Sequence, residues 1–347
     1  MTSSGSCKLL NAEEMHYWCQ KYHPDVVFEM NRCRDEVPFL PKEIPHIGWL
    51  VDLRGQTFAD FSGSEIIYLF MNTWPQHFRD RNSLCRFFSP GSCPSTYVPD
   101  SKDTVIEHEI SFLGHMTNPW SEPELSRGIS EEKGMKFGDL LPELEERLRP
   151  FLAETQSTEH PIDFAKAICR RKGFTLRSDD PVLRYDIASR TVRNLSRRNL
   201  IDAVLRCTDT LSLFGPENWK KWPEYVSHYR GFLSSPNAMN DVYRSSRFNL
   251  HEGAGMHFRA LDCMCAGGLL LAAKNPHESE AGGLSEYFIP DEHYVPFSVD
   301  TLEETLNKYV QESKRYVEVR HRAAERVRET HTWRHRGIEI LRDVRAL

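Results

Sequence analysis

The sequence predicts an α/β protein built on parallel β-sheets, and three observations support this. Short apolar runs recur along the chain at lengths that suit buried strands. Besides those in residues 247–272, they lie at 24–31, 47–52, 66–70, 85–88, 110–115, 210–215 and 294–297. Amphipathic segments with helical spacing separate several of these runs, as in a sheet whose parallel strands are joined by helices. Helices are predicted at 11–21, where Asn11 and Glu14 are spaced for a capping box, at about 187–207, which is rich in arginine, and at 223–229, which begins at a proline. The chain has 347 residues, of which 39% are hydrophobic, so two domains with sizeable cores are expected.

The most informative stretch is residues 247–272. An apolar run, a glycine-bearing loop, an amphipathic helix of about three turns, a Gly-Gly stop and a second apolar run predict one strand–helix–strand unit. Arg259 and Asp262 share one edge of this helix. The residues predicted to pack on the sheet are Phe258, Leu261, Met264 and Cys265.

The loop from His251 to Gly255 follows the first strand of this unit and leads into its helix. Unpaired N–H groups and the helix dipole favour an anion such as a diphosphate at this place in a parallel sheet. A dinucleotide fingerprint is not supported, because Phe258 stands where G-x-G-x-x-G requires its third glycine. Gly253 and Gly255 could equally be ordinary turn residues.

The stretch resembles the donor-nucleotide motif of GT-B glycosyltransferases, most closely the branch named for the spore-maturation protein CgeB. That motif is a strand followed by G-x-H-x-R-x-x-E-x-x-A-x-G-G, and it aligns with residues 255–268. Asp262 takes the place of the usual Glu, and Cys265 that of the usual Ala. The acids Glu252 and Asp262 lie ten positions apart, whereas the common E-x7-E form places them eight apart.

The resemblance implies two Rossmann-type domains facing a cleft, and it gives the motif residues their roles. The loop holds the diphosphate of a nucleotide sugar, Asp262 accepts from the ribose hydroxyls, and Glu252 is the catalytic candidate facing the transferred sugar. Arg259 and His257 are candidate diphosphate or sugar contacts. Alternatively, Arg259 and Asp262 form an exposed ion pair and His257 is a plain surface residue. The loop residues assigned to donor binding are His251, Gly253, Gly255 and Met256.

Weaker resemblance covers residues 24–113, and stronger resemblance covers residues 210–340. The strand at 110–115 is similar to a family strand whose glycine lets the backbone approach the donor, which implies donor contacts at Gly114 and His115. Residues 228–232, with Arg230, resemble a connection that meets the nucleotide base. Residues 329–336 resemble the family's terminal H-T-w-x-x-R.

These matches predict a shortened N-terminal domain at residues 1–105 and a nucleotide-sugar-binding domain at 106–347, with a helical insertion at about 116–207. Asp52 ends a predicted strand of the first domain and is expected at the rim of the cleft. There a carboxylate could act as general base on an acceptor hydroxyl. An acid in that position could also be a simple loop anchor.

Composition narrows the function classes further. The net charge of −6 argues against a protein that generally coats nucleic acid. Nine scattered cysteines without a C-x-x-C pair predict free thiols in a reducing compartment. With no long apolar run and no signal-peptide pattern, a soluble cytoplasmic protein is expected, and a homo-oligomer is compatible with the sequence. The basic run at 313–336, interleaved with glutamates, predicts a solvated helix face.

The sequence therefore predicts a glycosyltransferase that moves a hexose from a nucleotide diphosphate sugar, UDP-linked by the resemblance, to an acceptor hydroxyl. No D-x-D motif or clustered ligand set occurs, so no metal or other cofactor is expected to be required. The acceptor, whether glycan, protein, small molecule or modified DNA, is left open. The alternatives are a catalytically weak nucleotide-binding module or partner subunit, and an enzyme acting on modified DNA bases, which needs a basic cleft.

Overall fold

The computed structural model describes residues 11–53, 56–71, 74–78, 83–99, 105–154, 161–253, 255–274, 276–279 and 282–347. The chain divides into two compact units. The first is Met1–Ser89 together with Glu339–Leu347, and the second is Pro90–Ile338. The division thus lies before the predicted boundary at 105/106, because residues 90–99 bond to the second unit, as when Ser92 N–H donates to His331 O (2.9 Å).

The first unit contains a four-stranded parallel sheet in the order β1-β2-β3-β4. A helix, α1, precedes it, and Asn11 and Glu14 form the predicted capping box at its start. The returning C-terminal segment is fixed by Asp343, which accepts a hydrogen bond from Tyr68 Oη (2.6 Å) and pairs with Arg86. The elements are α1 (Ala12–Tyr22), β1 (Val27–Met30), β2 (His46–Leu50), β3 (Ile66–Leu69) and β4 (Leu84–Phe87).

The second unit contains a six-stranded, all-parallel sheet in the order β10-β9-β8-β5-β6-β7. Counted within the unit, this is the 3-2-1-4-5-6 order of nucleotide-binding folds, and the order reverses between β5 and β8. Ligands of such sheets bind outside the carboxyl ends of the strands at that reversal. The strands are β5 (His108–Leu113), β6 (Leu211–Phe214), β7 (Tyr229–Gly231), β8 (Ser246–His251), β9 (Leu270–Ala273) and β10 (Val295–Phe297).

Helices form most of the connection between β5 and β6, where the insertion at 116–207 was predicted, and they share a core of their own around Phe137, Leu144, Phe164 and Leu183. A π-helical stretch, Asp186–Thr191, joins α5 to α6. The helices of the second unit are α2 (Glu122–Leu125), α3 (Phe137–Glu154), α4 (Pro161–Arg171), α5 (Pro181–Tyr185), α6 (Val192–Cys207), α7 (Pro236–Ser245), α8 (Phe258–Cys265), α9 (Leu284–Tyr287), α10 (Leu302–Gln311) and α11 (Ser313–Thr330); α12 (Trp333–Val344) begins there and ends in the first unit.

The structure confirms the predicted α/β fold with two parallel sheets, but three local predictions need correction. The central helix α8 has 8 residues, about two turns instead of three. Tyr229 begins strand β7 and does not end a helix. The basic run at 313–336 is only partly solvated, since Arg320 donates to Gly267 O and Arg328 to Tyr97 O (2.8 Å).

The described cysteines are free thiols, and Cys263 and Cys265 are buried. None of the helices in the described ranges is long and apolar enough to cross a membrane.

Candidate functional site

The carboxyl ends of β5 and β8 lie side by side where the strand order reverses. The two strands pair in parallel, with Ser111 opposite Asn249. Residues 113–115 therefore leave the sheet next to residues 251–253, so the sequence-predicted residues of both segments belong to one region. The loop after β8 then leads directly into α8, as predicted.

A buried ionic triad occupies this place. Glu252 Oε1 accepts hydrogen bonds from Arg259 Nη2 (2.6 Å) and from Arg197 Nη2 (3.2 Å). The exposed fractions of the side chains are 14% for Glu252, 16% for Arg259 and 8% for Arg197. Burial alone would raise the pKa of Glu252, but the guanidinium groups of Arg259 and Arg197 hold it well below its usual range. The triad therefore carries two positive charges and one negative charge.

Arg259 joins the two strand ends. Its Nη1 donates to Leu113 O on β5, while its Nη2 bonds to Glu252 after β8. A Cβ at position 114 would lie 2.7 Å from Arg259 Nη1, so the glycine at 114 makes room for the guanidinium. Arg259 therefore does not form the alternative ion pair with Asp262 of the same helix, because its guanidinium group bonds to Glu252.

The sequence did not identify Arg197 and Arg193 of α6 as site residues. Arg197 Nη1 donates to His115 O, and Arg193 Nη1 lies 3.3 Å from His115 Nε2. The helix was recognised as rich in arginine, and the four-residue spacing of this pair places both side chains on one face. That spacing was the available signal, but the sequence did not show that α6 packs against the end of β5.

The site histidines are neutral. His251 Nδ1 accepts from Gly253 N–H (3.1 Å), and His257 Nδ1 caps α8 by accepting from Arg259 N–H (3.1 Å), so each ring carries its proton on Nε2. Burial lowers the pKa of His251 to about 4, and burial together with Arg259 holds that of His257 well below its usual range. Burial and then Arg197 lower the pKa of His115 to about 4.

Two polar atoms of this region are buried without a hydrogen bond to the residues that the structure describes. They are His251 Nε2, a donor, and Glu252 Oε2, an acceptor. Buried polar atoms normally have a partner, so these two are available to a bound molecule.

Gly253 and Gly255 of the loop are required to be glycine for different physical reasons. Both have a positive φ, +69° at Gly253 and +67° at Gly255. A Cβ at 253 would lie 1.9 Å from Ala273 O, whereas a Cβ at 255 would meet no atom within 4 Å. Gly253 is thus required for packing against β9, and Gly255 only by its backbone conformation. Met256, between loop and helix, is buried at 2% exposure.

Asp262 lies elsewhere on α8 and already has a protein partner. Ser92 Oγ donates to its Oδ1 (2.7 Å). Burial raises the pKa of Asp262 to about 7, although hydrogen bonds from Ser92 and Tyr97 act in the opposite direction. Ser92 was not among the predicted site residues, since 170 positions separate it from Asp262. Ribose binding by Asp262 stays a prediction.

Arg230 is not brought to the triad, and Asp52 belongs to the other unit of the chain. Arg230 is exposed on the edge strand β7, which β6 and β5 separate from β8, and it donates to Ser227 O (3.1 Å). Asp52 follows β2 in the first unit, where its N–H donates to Asn31 Oδ1 (2.8 Å). The roles of both stay predictions. In the described part of the chain, no three or more His, Cys, Asp or Glu residues are grouped to hold a metal ion.

Comparison with known proteins gives a family match for part of the chain. The sequence model of the family described as "Glycosyl transferase-like" matches residues 190–342, which include α6, β8 and α8. No curated protein matches the chain as a sequence relative.

Solved glycosyltransferase structures share the fold at low sequence identity. HepE (Alr3699) of Anabaena, in complex with UDP-glucose, is 11% identical with a TM-score of 0.54, covering 96% of this chain and 82% of its own. Sucrose-phosphate synthase of Thermosynechococcus elongatus is 10% identical with a TM-score of 0.50, covering 96% and 76%. TarM of S. aureus, in complex with Fondaparinux, alpha-GlcNAc-glycerol and UDP, is 8% identical with a TM-score of 0.51, covering 96% and 58%. The chain therefore has the two-sheet GT-B fold. The predicted enzyme class is confirmed to the extent that residues 190–342 match the glycosyl transferase-like family model.

Proposed function

We propose that this protein transfers a hexose from a nucleoside diphosphate sugar, UDP-linked by preference, to an acceptor hydroxyl. The observation that carries the proposal is the triad of Arg197, Glu252 and Arg259 at the strand-order reversal, with one positive charge in excess. The diphosphate of a nucleotide sugar is an anion, so its charge is opposite in sign to the excess charge of the triad. The adjacent N-terminus of α8 also favours the binding of an anion, because the helix dipole is positive at that end.

The triad also suits the chemistry of transfer. As the bond from the anomeric carbon to the diphosphate oxygen breaks, negative charge collects on the diphosphate. Guanidinium groups held in place before reaction stabilise that charge without reorganising. Arg259 and Arg197 are held in this way by Glu252 and by the carbonyl groups of Leu113 and His115. We propose that they supply the stabilisation that a divalent cation supplies in other enzymes.

UDP is favoured as the nucleotide for two reasons, the sequence motif and the fold shared with a protein that binds UDP-glucose. Residues 255–268 follow the CgeB-like pattern, and we propose that branch as the protein's subfamily. HepE, which shares the fold, has a structure with UDP-glucose. In this proposal Gly255 and His257 lie beside the diphosphate.

The two predicted catalytic acids have different parts in the proposal. Glu252 is a weak base, because its pKa is held far below neutral pH by two guanidinium groups. Its proposed role is to orient Arg197 and Arg259 and to face the sugar with its unpaired Oε2. Asp52 stays the predicted general base for the acceptor hydroxyl.

Thermal denaturation in the presence of nucleotides tests the donor site. A ligand that binds only the folded protein at a hundredfold excess over its Kd stabilises it by about 2.7 kcal/mol. We expect UDP or UDP-glucose to raise the melting temperature. If UDP, GDP, ADP and TDP, free or sugar-linked, all leave it unchanged at millimolar concentration, the donor site is refuted. Slow hydrolysis of the bound UDP-sugar without acceptor separates an enzyme from a nucleotide-binding module, which would bind UDP and release no sugar.

A further inference from the structure

A small polar cavity lies at the carboxyl end of β8, within the second unit. Its lining includes polar side chains from three elements, which are Ser111 of β5, Tyr243 of α7 and His251 of β8. The volume of the cavity is about 10 Å³. A buried cavity needs roughly 10–15 Å³ to hold a water molecule. The cavity therefore has room for one water molecule and not for a phosphate group or a sugar.

Two polar atoms on the lining of this cavity are buried without a hydrogen bond to the residues that the structure describes. They are Tyr243 Oη and His251 Nε2. Both residues are 2% exposed, and the two atoms do not bond to each other. Buried polar atoms normally have a partner in the protein or in ordered water. One small molecule in the cavity can satisfy both atoms.

The chemistry of the two atoms defines this molecule. His251 Nδ1 accepts from Gly253 N–H (3.1 Å), so the proton of the neutral ring is on Nε2. Burial raises the pKa of Tyr243 well above its usual range, so the hydroxyl keeps its proton. Both atoms can therefore donate, and the molecule between them must accept hydrogen bonds, as a water oxygen does.

The rest of the lining also suits water. Ser111 Oγ donates its proton to Asn249 Oδ1 (3.0 Å) and keeps lone pairs that can accept from a water molecule. Together with Tyr243 and His251 this gives three partners, the number that a buried water molecule typically has. A metal cation is not favoured, because the guanidinium of Arg259 lines the cavity and none of the described lining residues is a carboxylate.

We propose that the cavity binds one water molecule, which accepts hydrogen bonds from Tyr243 Oη and His251 Nε2. This water joins α7 to the loop that follows β8, since the ring of His251 also holds the N–H of Gly253. Tyr243 is thereby a positioning residue of the donor site and acts on the loop through the water and His251. The role of Tyr243 rests on the proposed function, whereas the water site does not depend on it.

A crystal structure of the wild-type protein, at a resolution that shows ordered water, tests the site. We expect density for one water molecule within about 2.7–3.2 Å of both Tyr243 Oη and His251 Nε2. A structure with no water at this place, or with a direct hydrogen bond between the two side chains, overturns the inference.

The positioning role is tested by the Kd for UDP, measured by calorimetry in Tyr243→Phe, which removes the hydroxyl and keeps the ring. Tyr225→Phe is the matched control, because Tyr225 is a buried tyrosine of the same unit whose Oη donates to Asp202 Oδ1 (2.7 Å). We expect Tyr243→Phe to weaken UDP binding about threefold to tenfold, since one hydrogen bond that orders the loop is lost. The control should change the Kd by less than about twofold.

Equal UDP affinity in wild type and Tyr243→Phe overturns the role of Tyr243. Equal losses of affinity in Tyr243→Phe and Tyr225→Phe also overturn it, since that pattern indicates a general loss of stability. If wild type binds no nucleoside diphosphate, the proposed function fails, and the crystal structure still decides whether the cavity binds water.

Discussion

Asp262→Asn is expected to change how the stability of the protein depends on pH. The pKa of Asp262 is about 7 in the folded protein, against an ordinary value of 3.8, because burial disfavours its charge. The folded state therefore binds this proton more tightly than the unfolded chain. The stability that this proton contributes is complete below about pH 4 and is lost as pH rises through 7.

The shift sets the size of the effect. About three pKa units at 1.36 kcal/mol each give about 4 kcal/mol as an upper bound, which contact of the carboxylate with solvent reduces to about 2–4 kcal/mol. Asparagine has the same shape, keeps an oxygen that can accept from Ser92 Oγ and does not titrate. The variant should exceed the stability of wild type by about 1.5 kcal/mol at pH 5, because the unfolded chain releases this proton from about pH 4 upwards, and by about 2–4 kcal/mol at pH 8.

Urea denaturation of both proteins at pH 5, 6, 7 and 8 gives the difference in free energy of unfolding. Other titrating groups are shared by the two proteins and cancel in this difference. Ser92→Ala serves as the control, because loss of the 2.7 Å hydrogen bond should raise the pKa of Asp262 further and move the transition to higher pH. A difference that stays constant from pH 5 to pH 8 would refute the reasoning.

The same variant tests the predicted contact with ribose. If Asp262 accepts from two ribose hydroxyls, Asp262→Asn should weaken UDP binding about tenfold to a hundredfold at pH 8. If the carboxylate only holds Ser92, the Kd for UDP should stay within about twofold. The two measurements are independent, so stability and donor binding can be assigned separately.

Three further outcomes are expected. Gly253→Ala should destabilise the protein by more than about 3 kcal/mol in urea denaturation, because its Cβ would lie 1.9 Å from Ala273 O. The Cβ of Gly255→Ala meets no atom within 4 Å, so this variant should lose only about 1–2 kcal/mol through backbone strain. Equal losses of stability in the two variants would contradict the distinction. Glu252→Gln should cost about 3–5 kcal/mol by the same measurement, since two buried guanidinium groups lose their shared counter-ion. An unchanged urea midpoint would show that Glu252 does not stabilise the fold by compensating these two charges. UDP affinity measured by calorimetry should be the same in EDTA as in Mg²⁺ or Mn²⁺, and binding that disappears in EDTA would overturn the metal-independent proposal.

The sequence predicted strands and helix ends well where the residues of the element itself determine its secondary structure. Apolar runs predicted β2, β3, β5, β6 and β8 to β10 within a few residues, because a buried parallel strand must be apolar on both faces. They also predicted β1 and β4, the partly buried edge strands of the first sheet. Asn11 and Glu14 predicted the start of α1, since a capping box involves only four consecutive residues. Strand β7 was missed because its residues, Tyr229 to Gly231, include an exposed arginine and a glycine and do not form an apolar run.

By itself, the sequence determined the two-sheet class of fold and the loop and helix after β8, because these follow from spacing along a short piece of chain. Only the tertiary structure decided the partners of the charged groups. Arg259 pairs with Glu252 and not with Asp262, Arg197 comes from a helix 55 positions before Glu252, and Ser92 reaches Asp262 across 170 positions. The physical reason is that a carboxylate or guanidinium takes whichever partner packing brings within hydrogen-bond distance, and the strand order that brings β5 beside β8 is a property of the whole sheet.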